Sequence, residues 1–200
     1  MDQKEITIIT DPYDPEIGFR LPKLTPDICT ISHGHSDHNN IAGLKTDAFV
    51  VDGPGEYEVQ GVFINGIVSY HDKTSGKDRG ENIIYKFEFK DLNLVHLGDL
   101  GHLLTPEQLE EIGVVDVLLV PVGGNTTINY KEAVEVINQI DPRIVIPMHY
   151  KIPSLNMELD PVEKFTKLMG IDKPELLEKI KIDKKTLPIE ETNIIILNKI

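Results

Sequence analysis

Residues 33–38, with the sequence HGHSDH, place three of the chain's seven histidines and one aspartate in six positions, directly after an apolar run. This segment constrains the fold because a catalytic metal ion needs at least three protein ligands, so other parts of the chain must come to it. Alternate residues of an extended segment point the same way, and His33 and His35 can therefore offer imidazole nitrogens to one ion. We expect Gly34, between them, to remove a side chain where the backbone must turn.

The other candidate ligands lie at a turn after this pair and at three later strand ends. Asp37 and His38 stand at the turn into a predicted short helix, where they can reach a second ion beside the first. Three more side chains of the ligand type each end a strand-like run: His71, Asp99 and His149. The competing interpretation is a polar loop that caps a helix, in which Asp37 only accepts hydrogen bonds from backbone N–H groups.

Hydrophobic periodicity divides the chain into a β-rich first half and a second half in which helices alternate with apolar strands. Apolar and polar residues alternate in the runs at 82–90, with Ile84 the exception, and 179–185, which predicts one buried and one wet face. The runs at 115–122 and 142–148 are typical of strands covered on both faces. The remaining strands are predicted at residues 5–10, 28–32, 48–52, 57–70 and 94–99. Helix starts are predicted at Thr105, Asn129 and Asp160, with Gly170 closing the last helix. This order predicts an α/β fold of two sheets with helices packed outside.

The composition suits a globular protein, and we predict a single domain over residues 1–200. The hydrophobic fraction is 40% and the charged fraction 26%. A net charge of −13 repels phosphate backbones and argues against a nucleic-acid substrate. We find no apolar run long enough to cross a membrane and no export signal, so a cytoplasmic location is predicted. The lone cysteine, Cys29, fits a reducing compartment and is interpreted as a small core side chain.

The motifs together resemble a known family. HGHSDH fits the H-x-H-x-D-H signature of the metallo-β-lactamase superfamily, and LGD and PMH fit its later ligand motifs. TDPY, DRGENIIY, HLGDLGHLLT and PVGG…PMHY resemble the small metal-dependent hydrolase-like branch that includes relatives of L-ascorbate-6-phosphate lactonase. The resemblance covers almost the whole chain, and it implies a four-layered αββα sandwich.

The resemblance also implies a binuclear metal centre. The first ion would be bound by His33, His35 and His71. The second ion would be bound by Asp37, His38 and His149, and Asp99 would bridge the two ions. A nitrogen and oxygen ligand set suits zinc, although manganese and iron are compatible with it.

This chain departs from the usual family pattern in three places. The family usually has a strand pair before TDPY, whereas only residues 1–10 precede it here, so the first sheet is expected to lack a strand, expose an edge or recruit a strand from a second copy in a homo-oligomer. Leu100 follows Asp99 where many relatives have a small hydroxyl residue. The gap between His38 and His71 is shorter than in many relatives.

The predicted function follows from two ions that share a water. Each ion lowers the pKa of that water, so a bridging hydroxide can attack a carbonyl or phosphoryl centre while the metals neutralise the developing charge. Asp37 could hold or orient the proton of the hydroxide, and Asp99 is the second residue to which we assign a catalytic role. The predicted substrate is a small anionic metabolite with an ester, lactone, thioester or phosphodiester bond.

Three features outside the ligand set could contact a substrate, and each has a simpler interpretation. Arg79 could bind an anionic group or could be a solvated charge in a mobile loop. His102 could line the pocket or orient Asp99, or could pack under its loop. Residues 123–127 could present backbone N–H groups to an anion or form the turn before a helix.

Two other functions remain open from the sequence. The first is a phosphodiesterase or nuclease that acts on a nucleotide or RNA; the acidic charge, and a length without room for the inserted domain of RNA-processing relatives, disfavour it. The second is a non-catalytic metal-binding module, because an intact ligand set does not prove turnover.

Overall fold

The computed structural model describes residues 5–44, 47–172, 174 and 176–199 and builds them around two main β-sheets. The smaller sheet has three parallel strands, β1 (Ile8–Thr10), β2 (Ile28–Thr30) and β3 (Phe49–Val51), in the order β1-β2-β3. The central strand β2 is buried throughout, and Cys29 within it is a core side chain as predicted. Among the described residues β1 is the first strand, and it lies at the edge of this sheet.

The larger sheet has seven strands and carries most of the core. The strands of this half of the fold are β4 (Gly55–Val59), β5 (Val62–Tyr70), β6 (Glu81–Phe89), β7 (Leu92–His96), β8 (Val117–Pro121), β9 (Ile144–Met148), β10 (Leu176–Leu177), β11 (Asn193–Ile194) and β12 (Ile196–Leu197). The order in the sheet is β11-β9-β8-β7-β6-β5-β4, while β10 and β12 form a separate parallel pair. Strands β4 to β7 are antiparallel neighbours, and β7, β8, β9 and β11 are parallel neighbours.

The two sheets pack face to face through an apolar layer. Ile28 and Val51 of the smaller sheet contact a cluster that includes Ile64 and Phe87 of the larger sheet. The hydroxyl of Tyr85 in β6 crosses this layer and lies 2.9 Å from the carbonyl oxygen of Ile31 and 3.1 Å from that of Val51. The apolar layer and the Tyr85 hydroxyl therefore fix the separation of the sheets.

Three helices cover the outer face of the larger sheet: α1 (Pro106–Ile112), α2 (Tyr130–Ile140) and α3 (Val162–Leu168). Thr105 and Asn129 form the predicted capping boxes at the first two helices. The predicted cap at Asp160 is wrong, because the cap position is Pro161 and the Asp160 carboxylate instead pairs with Lys164 at 2.6 Å.

The outer face of the smaller sheet has a thinner cover. Leu21, Ile41 and Leu44 pack there, and the short helix predicted after His38 is a single 3-10 turn, Ile41–Gly43. Within the described ranges no α-helix lies on this side. The predicted αββα sandwich is confirmed, with one outer layer reduced to a turn and loop residues.

Two strand predictions need correction. Residues 179–185 are not a strand, because the Asp183 side chain accepts a hydrogen bond from the backbone of Lys185 and closes a 3-10 turn, Lys184–Thr186. In β6 the expected wet face is buried over its first half, since Ile84 packs in the cluster under the helices while Ile83 faces the other sheet.

No helix within the described part of the chain has both the length and the apolar character needed to cross a membrane.

Candidate metal centre

The HGHSDH segment forms a tight series of bends after β2 rather than a continuation of the strand. The carbonyl oxygen of Ser32 accepts a hydrogen bond from the backbone N–H of Ile83 at 2.8 Å, and the N–H of His38 donates to the carbonyl oxygen of His35 at 3.0 Å. The backbone bends at Gly34 as expected, but its φ is not in the left-handed region and an added Cβ would meet no atom within 4 Å. The turn at Gly34 therefore does not require a glycine.

Asp99 lies at the centre of the predicted site. Its Oδ2 is 3.2 Å from Nε2 of His71, 3.5 Å from Nε2 of His149 and 3.9 Å from Nε2 of His33. Its Oδ1 is 3.3 Å from Nε2 of His38. A single buried carboxylate thus faces four histidines that come from three different parts of the chain.

The predicted ligands form two groups on either side of this carboxylate. The donor atoms of His33, His35 and His71 lie within 4.8 Å of one another, and so do those of Asp37, His38 and His149. These are the two sets that the family resemblance implies. The structure therefore brings all seven predicted residues together.

Several donor atoms in the centre are buried without a hydrogen-bond partner among the described residues. They are Nε2 of His33, Nδ1 of His71, both ring nitrogens of His149 and Oδ1 of Asp99. Buried polar atoms are normally paired, and an ion is one of the groups that satisfies them. Imidazole nitrogens and carboxylate oxygens suit zinc, manganese or iron. The residues present therefore fit a metal site.

Asp11 is a residue of the site to which the sequence alone assigned no role. Its Oδ1 accepts a hydrogen bond from the N–H of Ser32 at 2.7 Å, and its Oδ2 accepts one from the Ser32 hydroxyl at 2.6 Å and lies 2.9 Å from Nδ1 of His38. The ligand atoms of Asp11, His33 and His38 lie within 4.8 Å of one another, as those of a metal site would. Because both oxygens of Asp11 are already hydrogen-bonded, we interpret it as the residue that orients His38 and not as a ligand. The signal was present in TDPY, because the pairing of Thr10 with Thr30 sets Asp11 beside the residues that follow β2.

The charges at this centre are strongly coupled. Burial alone raises the pKa of Asp11, but the hydrogen bond from His38 and the nearby histidine charges lower it more, to about 2. Burial lowers the pKa of His38, but the carboxylates of Asp99, Asp11 and Asp37 raise it to about 9. Burial and the His38 charge lower the pKa of His33 to about 4. Without an ion the site therefore holds a proton on His38 and leaves His33 neutral.

Two glycines let distant ligand-bearing segments approach the site closely. A Cβ on Gly101 would lie 2.3 Å from the backbone nitrogen of Asp72 and 2.4 Å from the carbonyl carbon of His71. A Cβ on Gly123 would lie 2.1 Å from the carbonyl oxygen of His149, whose own φ is 51°. The positions of His71 and His149 thus depend on the absence of a side chain at these two glycines.

The contacts of His102 favour the packing interpretation. Its Nε2 accepts a hydrogen bond from the N–H of Tyr70 at 3.1 Å, and its Nδ1 lies 2.7 Å from the carbonyl oxygen of Leu103. Both ring nitrogens are therefore used within the protein. Residues 123–127 likewise form a turn before α2, closed by the bridge between Gly123 and Asn129.

Arg79 is exposed, on a loop that Asp72 holds in shape. The Asp72 carboxylate accepts hydrogen bonds from the backbone N–H groups of Thr74, Gly76, Asp78 and Arg79 and from the Thr74 hydroxyl. Burial acts to raise the pKa of Asp72, but the four backbone hydrogen bonds hold it well below the usual range. Burial lowers the pKa of His71, and the positive charge of Arg79 acts in the same direction. Arg79 therefore lies on a shaped loop that follows His71 directly.

Comparison with known proteins agrees with this geometry. A family profile described as the beta-lactamase superfamily domain matches residues 1–149. A UPF0173 metal-dependent hydrolase of Thermococcus onnurineus is 31% identical over 199 aligned positions, covering 85% of this chain and 87% of that protein. A UPF0173 metal-dependent hydrolase of Pyrococcus horikoshii is 30% identical over 200 positions, with the same 85% and 87% coverage.

A solved structure extends the likeness over nearly the whole fold. A candidate Zn-dependent hydrolase of the metallo-beta-lactamase superfamily from Thermotoga maritima shares 40% sequence identity and a TM-score of 0.78, covering 98% of this chain and 91% of that chain. The narrower likeness to L-ascorbate-6-phosphate lactonase stays a prediction. The predicted family and enzyme class are confirmed, and the chain belongs to the beta-lactamase superfamily, among its metal-dependent hydrolases.

Proposed function

We propose that this protein is a binuclear hydrolase that attacks the carbonyl or phosphoryl centre of a small anionic metabolite. The observation that carries the proposal is the buried Asp99 carboxylate, which lies between two groups of histidine and aspartate donors. In this proposal His33, His35 and His71 hold one ion, and Asp37, His38 and His149 hold the other. Asp99 would contribute a ligand to both. Zinc suits this donor set, and manganese or iron would also suit it.

The chemistry is divided between the ions and the protein. Two divalent ions bound here would lower the pKa of a shared water and supply hydroxide near neutral pH. Asp99 is nearly fully buried, so its carboxylate is shielded from solvent between the two donor groups. Asp37 is more exposed, with its Oδ2 3.6 Å from Nε2 of His38, and its carboxylate can hold or orient a proton at the open side of the site.

The substrate proposal rests on charge. The chain carries −13 overall, so a positive group beside the centre is a local exception that would attract an anion. Arg79 is our candidate for such a group, because it is exposed on the loop that follows His71 and that Asp72 holds. A guanidinium binds carboxylate or phosphate with two parallel hydrogen bonds. We therefore infer a metabolite with an ester, lactone, thioester or phosphodiester bond beside an anionic group.

Metal analysis tests the binuclear centre directly. Purified protein should contain two divalent ions per chain, and Asp99→Ala should lose at least one of them because it removes the shared carboxylate. Asp91→Ala is the matched control, since Asp91 lies at the turn before β7 and Asp99 lies just beyond its other end. Fewer than one bound ion per chain in the wild type would refute the binuclear proposal.

A substrate screen then separates the candidate activities. Metal-loaded protein is assayed on anionic lactones, esters, thioesters and phosphodiesters, with Arg79→Ala compared with Lys77→Ala on the same loop. A rise in KM of about 10-fold or more for Arg79→Ala alone would support the anion contact. Cleavage of generic phosphodiesters only would move the assignment to a nucleotide or RNA phosphodiesterase. Inertness on every class would move it to a non-catalytic metal-binding module.

We also infer that residues 1–200 form one domain, supported by the apolar layer that joins the two sheets. A cytoplasmic location and a homo-oligomeric state remain predictions. Size-exclusion chromatography with light scattering would measure the oligomeric state directly.

A further inference from the structure

Asn82 is a fully buried amide at the start of β6, beside the predicted metal centre but outside its ligand set. Its Oδ1 accepts a hydrogen bond from the backbone N–H of Asp99 at 2.8 Å. Its Nδ2 donates to the carbonyl oxygen of Leu97 at 2.9 Å and to the hydroxyl oxygen of Ser69 at 2.7 Å. The amide therefore spans both ends of the turn that carries Asp99.

The chemistry of these partners fixes which end of the amide is oxygen. A backbone carbonyl can only accept and a backbone N–H can only donate, so Leu97 requires the NH₂ group and Asp99 requires the oxygen. The Ser69 hydroxyl donates its own hydrogen to the backbone carbonyl of Asn82 at 2.8 Å, and it can therefore only accept from Nδ2. An asparagine satisfies all three partners at once.

We propose that Asn82 is a positioning residue for the Asp99 carboxylate, and that it sets the geometry in which this carboxylate contacts both ions. The inference rests on the proposed function, because it takes Asp99 as a ligand of both ions. Asn82 does not touch the donor groups itself. It acts by holding the backbone between Leu97 and Asp99 in one conformation.

Two further contacts connect the start of β6 to the HGHSDH segment and to the turn that carries Asp99. The next residue, Ile83, donates its backbone N–H to the carbonyl oxygen of Ser32 at 2.8 Å, immediately before the HGHSDH segment. A Cβ on Gly98 would lie 2.4 Å from Oδ1 of Asn82, so the turn packs directly on the amide. A shift of Asn82 would therefore move Asp99 relative to the first histidines, which is the distance that a bridging ligand must keep constant.

The structure distinguishes asparagine from its closest substitutes. An aspartate at this position would place a carboxylate oxygen against the carbonyl oxygen of Leu97 and the hydroxyl oxygen of Ser69. Neither could donate to it, because the Ser69 hydroxyl donates its hydrogen to the backbone carbonyl of residue 82. The aspartate would also add a negative charge in a buried site beside Asp99. An apolar residue would leave Leu97 and Asp99 with unpaired buried backbone groups. We expect both kinds of change to displace the turn.

The test compares Asn82→Asp with Ser69→Ala, which removes one partner of the amide but keeps its bonds to Leu97 and Asp99. Both variants and the wild type are loaded with zinc and titrated with a competing chelator, and the cobalt(II) form of each gives an absorption spectrum that reports ligand geometry. Asn82→Asp should weaken at least one ion by about 10- to 100-fold and change the cobalt spectrum. Ser69→Ala should keep both affinities within about threefold and leave the spectrum unchanged.

The outcomes separate this inference from the proposed function. Fewer than one zinc per wild-type chain would overturn both. Two ions in the wild type, with unchanged affinities and spectrum in Asn82→Asp, would overturn only the role of Asn82. Equal losses in Ser69→Ala and Asn82→Asp would mean that the amide supports the fold generally and would also overturn it. If Asn82→Asp does not fold, Asn82→Ser replaces it, with the same expected loss and the same overturning results.

Discussion

Replacing Gly101 by alanine should damage the metal centre, although Gly101 is not a predicted ligand. The added Cβ would lie 2.3 Å from the backbone nitrogen of Asp72 and 2.4 Å from the carbonyl carbon of His71, while ordinary contact begins at 3.4 Å. The two segments must therefore separate by about 1 Å, because backbone atoms cannot rotate away as a side chain can. We expect a loss of about 1–3 kcal/mol in unfolding free energy from this overpacking.

The same displacement would move His71 relative to Asp99. A shift of about 1 Å in a positioned group can reduce turnover by roughly 100-fold, and zinc affinity should fall with it. The control is Gly34→Ala, because Gly34 lies inside the ligand motif yet an added Cβ there meets no atom within 4 Å. Urea unfolding of the metal-free proteins measures stability, and chelator competition measures zinc affinity.

Two results would refute this reasoning. If Gly101→Ala unfolds at the same urea concentration as the wild type and binds zinc equally well, the close approach to His71 does not position that residue. If Gly34→Ala loses as much zinc affinity as Gly101→Ala, the motif needs its glycine for a reason that local space and backbone conformation do not supply.

Three further predictions concern side chains that hold the site and the sheets. In metal-free protein, Asp11→Asn should lose about 2 kcal/mol near pH 5 and less at either extreme, measured by urea unfolding across pH. Because the pKa of Asp11 is lowered on folding, its contribution to stability is present above pH 3.8 and is lost as pH falls through about 2. Because the pKa of His38 is raised, its contribution is present below pH 6.5 and is lost as pH rises through about 9. A loss of stability that does not change with pH would contradict this prediction. Tyr85→Phe should cost about 1–3 kcal/mol in thermal or urea unfolding, since the carbonyl oxygen of Ile31 loses the hydroxyl donor while that of Val51 keeps the backbone N–H of Ile31, and a change within error would show that this hydroxyl is not needed there. Asp72→Ala should speed limited proteolysis within residues 73–80, because five hydrogen bonds to one carboxylate are lost, and an unchanged cleavage pattern would count against that role.

The ligand set was predictable because its signal is local. Four ligand-type side chains lie within HGHSDH, and the other three, including His71 and Asp99, each end an apolar run. The type of a side chain and its position at the end of a strand can both be read from the linear sequence. The two layered sheets and the helix starts at Thr105 and Asn129 were visible for the same reason.

Local patterns failed where a contact distant in sequence or a turn decided the structure. Residues 179–185 alternate like a strand, but Asp183 closes a turn and the segment pairs with no neighbour among the described strands. In β6 Asn82 belongs to the face expected to be wet, yet it is fully buried beside the turn that carries Asp99. Hydrophobic periodicity indicates which secondary structure a segment favours, but it does not indicate which other segments pack against it.

The sequence by itself determined which groups this protein can offer to an ion, because residue type and order along a strand fix donor chemistry and approximate direction. Only the tertiary structure decided what holds those groups in place. Asp11 reaches His38 because β1 and β2 pair in one register, and Asn82 reaches Asp99 because β6 and β7 are neighbours. Hydrogen bonds of this kind join residues that are far apart in sequence, and their partners become visible only when the sheets have formed.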